Sequence, residues 1–198
     1  MTVLETFAEF AANASLDQLT GEEHGILGRH LTDTMGAAIA GCRTPIGAAL
    51  AELQSGAVPV FRQGSIDDVA RRVGTVRHTE VDDIHTESNV TPSAVIVPTA
   101  LTLAGRLGVT DPNVFGGALI AGYEAILRLG MAIDGPVVMY QGIWPTFFTG
   151  AFGAAAATAR LMGLPAEETA HALAMALTTC TGGAGRPGPR RPGRWLVI

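Results

Sequence analysis

Lysine is missing from this chain, and all 13 of its basic residues are arginines. Schiff-base chemistry and acid catalysis by a lysine are therefore excluded within its 198 residues. Charge is sparse as well, because charged residues make up only 16% of the sequence and the formal net charge is -5. Since binding to a phosphate backbone requires a basic surface, we expect no nucleic-acid partner.

Cysteine and long apolar runs are also scarce. The two cysteines, Cys42 and Cys180, lie far apart and no signal-peptide pattern is present, which indicates reduced thiols, and we expect both in the core. The most apolar stretch, residues 147–159, is shorter than the roughly 20 residues that span a membrane and is followed by Arg160. We therefore expect a cytoplasmic protein without a membrane partner.

Helical periodicity dominates the rest of the sequence. Hydrophobic residues make up 47% of it, enough for a chain of this length to bury a full core. Helix starts are marked by Thr20 with Glu23, and by Asp111 before a proline. The patterns predict an all-α helical bundle over residues 1–180 and a Gly/Pro/Arg-rich tail over 181–198. The predicted helices are 2–12, 21–40, 46–53, 67–78, 94–107, 112–131, 146–162 and 165–177, and residues 58–62 hint at a strand.

Small residues mark two of the predicted helices. Glycine and alanine dominate residues 147–159, and Gly122 lies mid-helix, where glycine costs about 1 kcal/mol relative to alanine. Because side-chain size limits how closely helices approach, such a face serves a tightly crossed pair within the chain or a contact between chains. Together with the apolar end of the chain, residues 195–198, it predicts a homo-oligomer, most simply a dimer.

Residues 78–87 place two histidines and four carboxylates in ten positions, shortly before Pro92-Ser93 opens an apolar helix. Acids cluster this densely where solvent, cations or catalysis offset their repulsion, so the segment is predicted to line an active site. The alternatives are a solvated acidic turn and, for the first histidine, a capping contact at a helix end. No metal is expected, since the set lacks the i, i+4 histidine pair of helical zinc sites. The candidate catalytic acids and bases are Asp83, His85, Glu80, Asp82 and His78.

Residues 78–93 resemble the signature of the MmgE/PrpD family, to which 2-methylcitrate dehydratase and cis-aconitate decarboxylase belong. That signature reads His-x-x-Asp-Phe-Asp-Asp-Thr-His and is followed by His-Pro-Ser. Asp-Thr-Met-Gly at 33–36, Gly-Tyr-Glu at 122–124 and the Gly/Ala-rich segment 153–164 are similar to further family patterns. The resemblance runs from about residue 20 to the C-terminus. It implies the family's helical domain, chemistry on carboxylic acids and no cofactor.

Four positions bear on the substrate site that the resemblance implies. Thr91 stands where the family carries a histidine, Trp144 replaces a functional histidine, and Arg194 takes the position of a catalytic lysine. Tyr140 and Trp144 belong to an aromatic lining, with the phenylalanines at 147 and 148, where the family keeps polar groups. Family members are more than twice this length and continue with a lid, so we expect a truncated chain without the α+β lid domain. The predicted substrate-binding residues are Thr91, Tyr140, Trp144 and Arg194.

Three functions fit these observations. The first is a family-like lyase or isomerase that uses Asp83 and His85 to abstract a proton next to a carboxyl or carbonyl group of a small organic acid, leading to elimination, decarboxylation or epimerisation. The second is a repurposed cyclase or isomerase of specialised metabolism with a larger, less polar substrate, favoured by the aromatic lining. The third is a non-catalytic family member. The expected partners are the small-molecule substrate, a second copy of the chain and, for the missing lid, a second polypeptide.

Overall fold

Helices make up the regular structure of residues 1–52 and 66–180, the part of the chain that the computed structural model describes. The predicted all-α fold is confirmed. The helices are α1 (Val3–Asn13), α2 (Gly21–Cys42), α3 (Pro45–Glu52), α4 (Ile66–Arg77), α5 (Ser93–Leu107), α6 (Pro112–Ala132), α7 (Gly135–Tyr140), α8 (Pro145–Leu161) and α9 (Ala166–Thr179), with a short 3-10 helix at Leu16–Gln18.

Two predicted helix starts are confirmed at their caps. Thr20 Oγ1 accepts a hydrogen bond from the Glu23 N–H at 3.3 Å, and the Glu23 carboxylate accepts the Thr20 N–H at 2.7 Å. Two of the backbone donors left open at the start of α2 are therefore satisfied. The Asp111 carboxylate accepts the Asn113 N–H at 2.8 Å and caps α6 in the same way. Each predicted helix lies within two residues of its observed bounds.

Two short elements escape the sequence patterns. The 3-10 helix at Leu16–Gln18 and the six-residue α7 are too short to show a hydrophobic period. A turn at Asp134, whose φ of 53° lies in the left-handed region, separates α6 from α7 and makes them two helices. The strand suggested at residues 58–62 lies outside the described residues.

The centre of the bundle is the crossing of α6 and α8, against which α5 also packs. A Cβ added at Gly122 would lie 2.8 Å from Ile96 Cγ2 and 3.1 Å from Ala157 Cβ, and one at Gly153 would lie 2.8 Å from Ile126 Cβ. The small residues therefore serve a close crossing within one chain. Because this face is buried inside the bundle, it lends no support to a contact between chains, and the homo-oligomer stays a prediction. The apolar residues 195–198 lie outside the described residues.

We expect Gly122→Ala to lower the free energy of unfolding by about 1 to 3 kcal/mol, the usual cost of overpacking a core. This loss would occur although alanine is the better helix former by about 1 kcal/mol. Gly105→Ala in α5 is the matched control, because nothing lies within 4 Å of its added Cβ, and it should stabilise the chain. Urea unfolding of both variants measures the difference. An equal gain in stability for both would contradict the close crossing of α6 and α8.

The apolar character of α6 follows from its central position. By length and composition α6, rather than residues 147–159, is the helix of the described chain that is apolar enough to cross a membrane. Half of its most apolar stretch is buried inside the fold, where Leu119 and Ile126 are core residues without solvent contact. Packing in the bundle thus accounts for the composition that would otherwise suggest a membrane span.

The expectation that both cysteines lie in the core is wrong for Cys42. Cys42 is exposed at the C-terminal end of α2, whereas Cys180 is half-buried and its thiol donates to the Ala176 carbonyl at 3.3 Å. Burial raises the pKa of Cys180 above its usual value. The physical reason for the difference is that the buried residues of α2, Thr34, Ala37 and Gly41, lie on one face of the helix, and Cys42 lies outside that face.

Candidate active site

The acidic residues lie on an irregular turn between α4 and α5. Two backbone hydrogen bonds close this turn: the His85 N–H donates to the Val90 carbonyl at 2.8 Å, and the Val90 N–H donates to the His85 carbonyl at 3.4 Å. The start of α7 packs directly against it, since a Cβ added at Gly135 would lie 1.8 Å from the Ser88 carbonyl oxygen. Only glycine fits at that position, and the contact holds the turn in place.

Asp83 connects this turn to the start of α5 and to α2. Its carboxylate accepts the Ser93 N–H at 3.1 Å and the Ser93 hydroxyl at 2.5 Å, so it caps the first turn of α5. The same carboxylate lies 2.9 Å from His30 Nδ1, on the middle of α2. Asp83 thus binds three donors from two helices and fixes the position of the His30 ring.

Tyr123 extends this hydrogen-bond network into α6. Its hydroxyl lies 2.5 Å from Ser93 Oγ, and its ring lies 5.6 Å from the His30 ring between centroids. Because Ser93 has one hydroxyl proton and donates it to Asp83, Tyr123 must be the donor to Ser93. Burial raises the pKa of the Tyr123 phenol well above its usual value, which keeps it protonated for that role.

An open depression with a volume of about 890 Å³ lies next to this network. Its lining includes Arg29, His30 and Asp33 of α2, together with Asp83. The His30 side chain is 38% exposed and the Asp83 side chain 14%. With Nδ1 bonded to Asp83, His30 keeps Nε2 as its second nitrogen, which has no hydrogen-bond partner within the described part of the chain. A bound molecule would therefore meet that nitrogen.

Asp82 forms a buried ion pair that is separate from the partners of Asp83. Arg77 Nη1 lies 3.0 Å from Asp82 Oδ1, with 9% of the Arg77 side chain and 1% of the Asp82 side chain exposed. The Arg77 guanidinium also lies 3.5 Å from Glu80 and 5.8 Å from the centre of the Trp144 ring. Burial raises the pKa of Asp82 from 3.8 to about 6, because the opposing effect of Arg77 only partly offsets the loss of water.

We expect Asp82 to make the chain less stable as the pH rises from about 4 to about 6. Its folded pKa of about 6 exceeds its ordinary value of 3.8, so in this window the folded state binds the extra proton. The contribution to the unfolding free energy should fall by up to about 3 kcal/mol and stay constant above that window. Urea unfolding at several pH values, with Asp82→Asn as the reference, isolates this contribution. If the unfolding free energy of the wild type relative to Asp82→Asn stayed constant or rose between pH 4 and pH 6, the prediction would be wrong.

The other candidate acids and bases contact different partners. His78 Nε2 lies 2.6 Å from Thr44 Oγ1 and its Nδ1 lies 3.0 Å from the Gly74 carbonyl, so both ring nitrogens are engaged away from Asp83. His85 Nδ1 accepts the Ser88 N–H at 3.3 Å within its own turn. Glu80 is exposed and adopts a φ of 54°. The turn therefore brings Asp83 to the depression and directs its neighbours elsewhere.

The predicted substrate-binding residues are spread over several environments. Thr91 is buried, and its N–H and its hydroxyl each lie 3.0 Å from the Thr146 hydroxyl of α8. Trp144 is half-buried at the start of α8, over Arg77. Tyr140 is 80% exposed on α7. These rings, and the half-buried phenylalanines at 147 and 148, do not line the depression next to His30. Arg194 lies outside the described residues.

In the described residues no group of three or more His, Cys, Asp or Glu side chains is arranged to hold a metal ion. The acidic turn itself shows why. Asp82 is bound to Arg77, Asp83 is bound to Ser93 and His30, and the two carboxylates face different partners.

Comparison with known proteins places this chain in a family. Residues 5–185 match the MmgE/PrpD N-terminal domain. The chain belongs to the MmgE/PrpD family. Two curated relatives, both named cis-aconitate decarboxylase, come from Aspergillus terreus and from Aspergillus terreus strain NIH 2624 / FGSC A1156. Each is 29% identical over 111 residues, which cover 54% of this chain but only 23% of the relative. The matched part of the chain thus spans about a quarter of the length of these relatives.

The segments that resemble MmgE/PrpD patterns in the sequence converge on the Asp83 network. Ser93 ends the Thr-Pro-Ser segment, Tyr123 is the centre of Gly-Tyr-Glu, and Asp83 belongs to the acidic signature. His30, which the sequence patterns did not single out, lies one turn before the Asp-Thr-Met-Gly segment, and the Thr34 hydroxyl donates to its carbonyl at 2.7 Å. His30 and Thr34 are four residues apart and therefore lie on the same face of α2, and this spacing is the sequence signal that could have identified His30.

Proposed function

We propose that this MmgE/PrpD protein is a lyase or isomerase that abstracts a proton next to a carboxyl or carbonyl group of a small organic acid. The observation that carries the proposal is the contact of 2.9 Å between His30 Nδ1 and Asp83 at the edge of the depression. In this proposal His30 is the base and Asp83 is a positioning residue. Family membership and the distant match to cis-aconitate decarboxylase support a lyase-like activity.

The hydrogen bonds of Asp83 argue for this division of roles. Its carboxylate already accepts two donors from Ser93 and one from His30, so three of its roughly four lone-pair sites are engaged and it is a poorer acceptor for a substrate proton than His30 Nε2. By accepting the Nδ1 proton of His30, it selects the tautomer in which Nε2 holds a free lone pair. An Asp–His pair of this kind orients the imidazole and stabilises the imidazolium formed on proton transfer.

Arg29 supplies the positive charge that a carboxylate substrate needs. It lines the depression beside His30, and a guanidinium binds a carboxylate through two parallel hydrogen bonds. Holding the carboxylate there would place its neighbouring C–H bond toward the base. After His30 has taken the proton, the carbanion is either reprotonated on its other face by a second acid, giving epimerisation, or it expels a leaving group. No metal or organic cofactor takes part in this proposal.

The sequence-based candidates divide accordingly. Asp82, His78 and Thr91 hold the turn through Arg77, Thr44 and Thr146. His85 and Glu80 stay predictions for the acid that completes the reaction. The alternative of a larger, apolar substrate gains no support from the aromatic residues, since none of them lines the depression. The cytoplasmic location and the dimer are also part of the proposal.

Deuterium incorporation from D₂O tests the activity without knowledge of the final product. The full chain is incubated with a panel of di- and tricarboxylic acids that carry a C–H bond next to a carboxyl group, cis-aconitate among them, and each acid is followed by mass spectrometry. We expect catalysed incorporation into at least one acid. Incorporation only into bulky apolar acids would favour the repurposed enzyme, and no incorporation into any acid would favour the non-catalytic family member.

A further inference from the structure

A second concave site lies between α2, α4 and α5 and has a volume of about 230 Å³. It shares no lining residue with the depression next to His30. Most of its wall is apolar and includes Met35 from α2, Val76 from α4, and Val97 and Leu101 from α5. Met35 and Leu101 are partly open to solvent, so the groove is accessible from outside.

Two arginines of α4 also line this groove and give it a positive charge. Arg71 Nη2 lies 2.5 Å and Arg72 Nε lies 3.0 Å from the buried carboxylate of Asp68. Among the described side chains these two guanidiniums share the one carboxylate of Asp68, so positive charge exceeds negative charge at this point. Arg71 Nε is buried without a hydrogen-bond partner in the described part of the chain, an unusual state for such a strong donor. A ligand in the groove would therefore meet Arg72, whose side chain is 41% exposed, and the groove combines apolar walls with an accessible positive charge.

We propose that this groove binds a small monocarboxylic acid with an apolar body. The excess charge of the arginine pair matches one carboxylate, and guanidinium groups suit that planar anion. The apolar side chains of α2 and α5 cover the rest of the molecule. A groove of about 230 Å³ is large enough for a short aliphatic acid, and hexanoate is a suitable probe.

The two threonines of the lining, Thr34 and Thr75, are not free to donate to the carboxylate of the bound acid. The Thr34 hydroxyl donates to the His30 carbonyl at 2.7 Å, and the Thr75 hydroxyl donates to the Arg71 carbonyl at 2.9 Å. Both protons are used inside their own helices. Recognition of the anion therefore depends on the guanidiniums, and the site should distinguish a carboxylate from a neutral amide of the same size.

Cys42 gives a direct readout, because it is exposed and lines the groove. The full chain is treated with N-ethylmaleimide at increasing concentrations of sodium hexanoate, and modification of each cysteine is followed by peptide mass spectrometry. Cys180, at the C-terminal end of α9, is the control within the same molecule, since it does not line the groove. We expect hexanoate to slow modification of Cys42 saturably and to leave Cys180 unchanged.

Matched ligands and variants separate the charge from the apolar wall. Hexanamide should bind about tenfold or more weakly than hexanoate, because it lacks the charge-assisted hydrogen bonds. Arg72→Gln should weaken the binding of hexanoate by about tenfold and leave the binding of hexanamide unchanged. Met35→Glu, at an exposed position, should weaken the binding of hexanoate, because it places a second negative charge at the groove. Thermal unfolding verifies that both variants fold.

Three results would overturn the proposal. Absence of saturable protection of Cys42 by hexanoate would show that the groove does not bind such an acid. Equal protection by hexanamide would show an apolar site without recognition of the carboxylate. Protection of Cys42 that grows with protein concentration alone would show that a second copy of the chain, and not a small acid, covers the groove.

Discussion

Replacement of Arg77 by methionine should lower the free energy of unfolding at pH 7 by about 3 to 5 kcal/mol, the usual effect of removing one partner of a buried ion pair. Methionine fills much of the same volume but leaves the Asp82 carboxylate, 1% exposed, without its opposite charge. The stacking of the guanidinium over Trp144 is lost as well. Because Asp82 can escape the penalty by binding a proton, the loss should be smaller at pH 5 than at pH 7.

An exposed pair provides the control for this measurement. Arg128 lies 2.5 Å from Glu124 on the surface of α6, so Arg128→Met should cost less than about 1 kcal/mol. The double variant Arg77→Met with Asp82→Asn should recover a large part of the stability, since no unpaired charge remains. Urea unfolding at pH 7 compares the four proteins. A loss below about 1 kcal/mol for Arg77→Met would mean that the pair does not hold the turn.

The variant Asp83→Asn should reduce catalysed deuterium incorporation by about 100-fold to 10,000-fold, the usual range for loss of a functional acid–base group. An amide at this position presents an N–H group to His30 Nδ1 and favours the tautomer whose proton is on Nε2. The base would then lack its lone pair. The Ser93 N–H can still donate to the amide oxygen, so we expect the stability to change by about 1 to 2 kcal/mol.

A purely structural role for Asp83 would leave a different signature. Nitrogen NMR of the histidine rings should show the Nδ1–H tautomer of His30 in the wild type and the Nε2–H tautomer in Asp83→Asn. Glu87→Gln changes an exposed carboxylate of the same turn and should alter neither the tautomer nor the rate. If Asp83→Asn lost activity with an unchanged His30 tautomer, the assignment of Asp83 as a positioning residue would be wrong.

The helices could be predicted because their signals are local. Caps such as Thr20 with Glu23, and hydrophobic spacing along α6, depend on residues within one or two turns of each other. The predicted bounds therefore agree with the structure. The short α7 could not be predicted, since it depends on the contact between Gly135 and Ser88, which are distant in the sequence.

The candidate site could be located from the sequence, but its internal organisation could not. Density of charge identified the acidic turn correctly as the entrance to α5, where Asp83 caps Ser93. The adjacent residues Asp82 and Asp83 nevertheless bind different partners, Arg77 and His30. The segment that holds them is irregular, so no periodic pattern predicts where each side chain points. His30 lies on another helix, and its contact with Asp83 arises only when α2 packs beside the start of α5. No spacing rule relates two residues in that way.

The rate of deuterium incorporation in His30→Gln tests the central claim most directly. Glutamine keeps a polar side chain that can donate to Asp83 but cannot take up a proton, and His171→Gln, an exposed histidine on α9, is the matched control. With the acid that the wild type exchanges, we predict a loss of about 100-fold or more for His30→Gln and no change for His171→Gln. A His30→Gln protein that keeps the wild-type rate would contradict the assignment of His30 as the base.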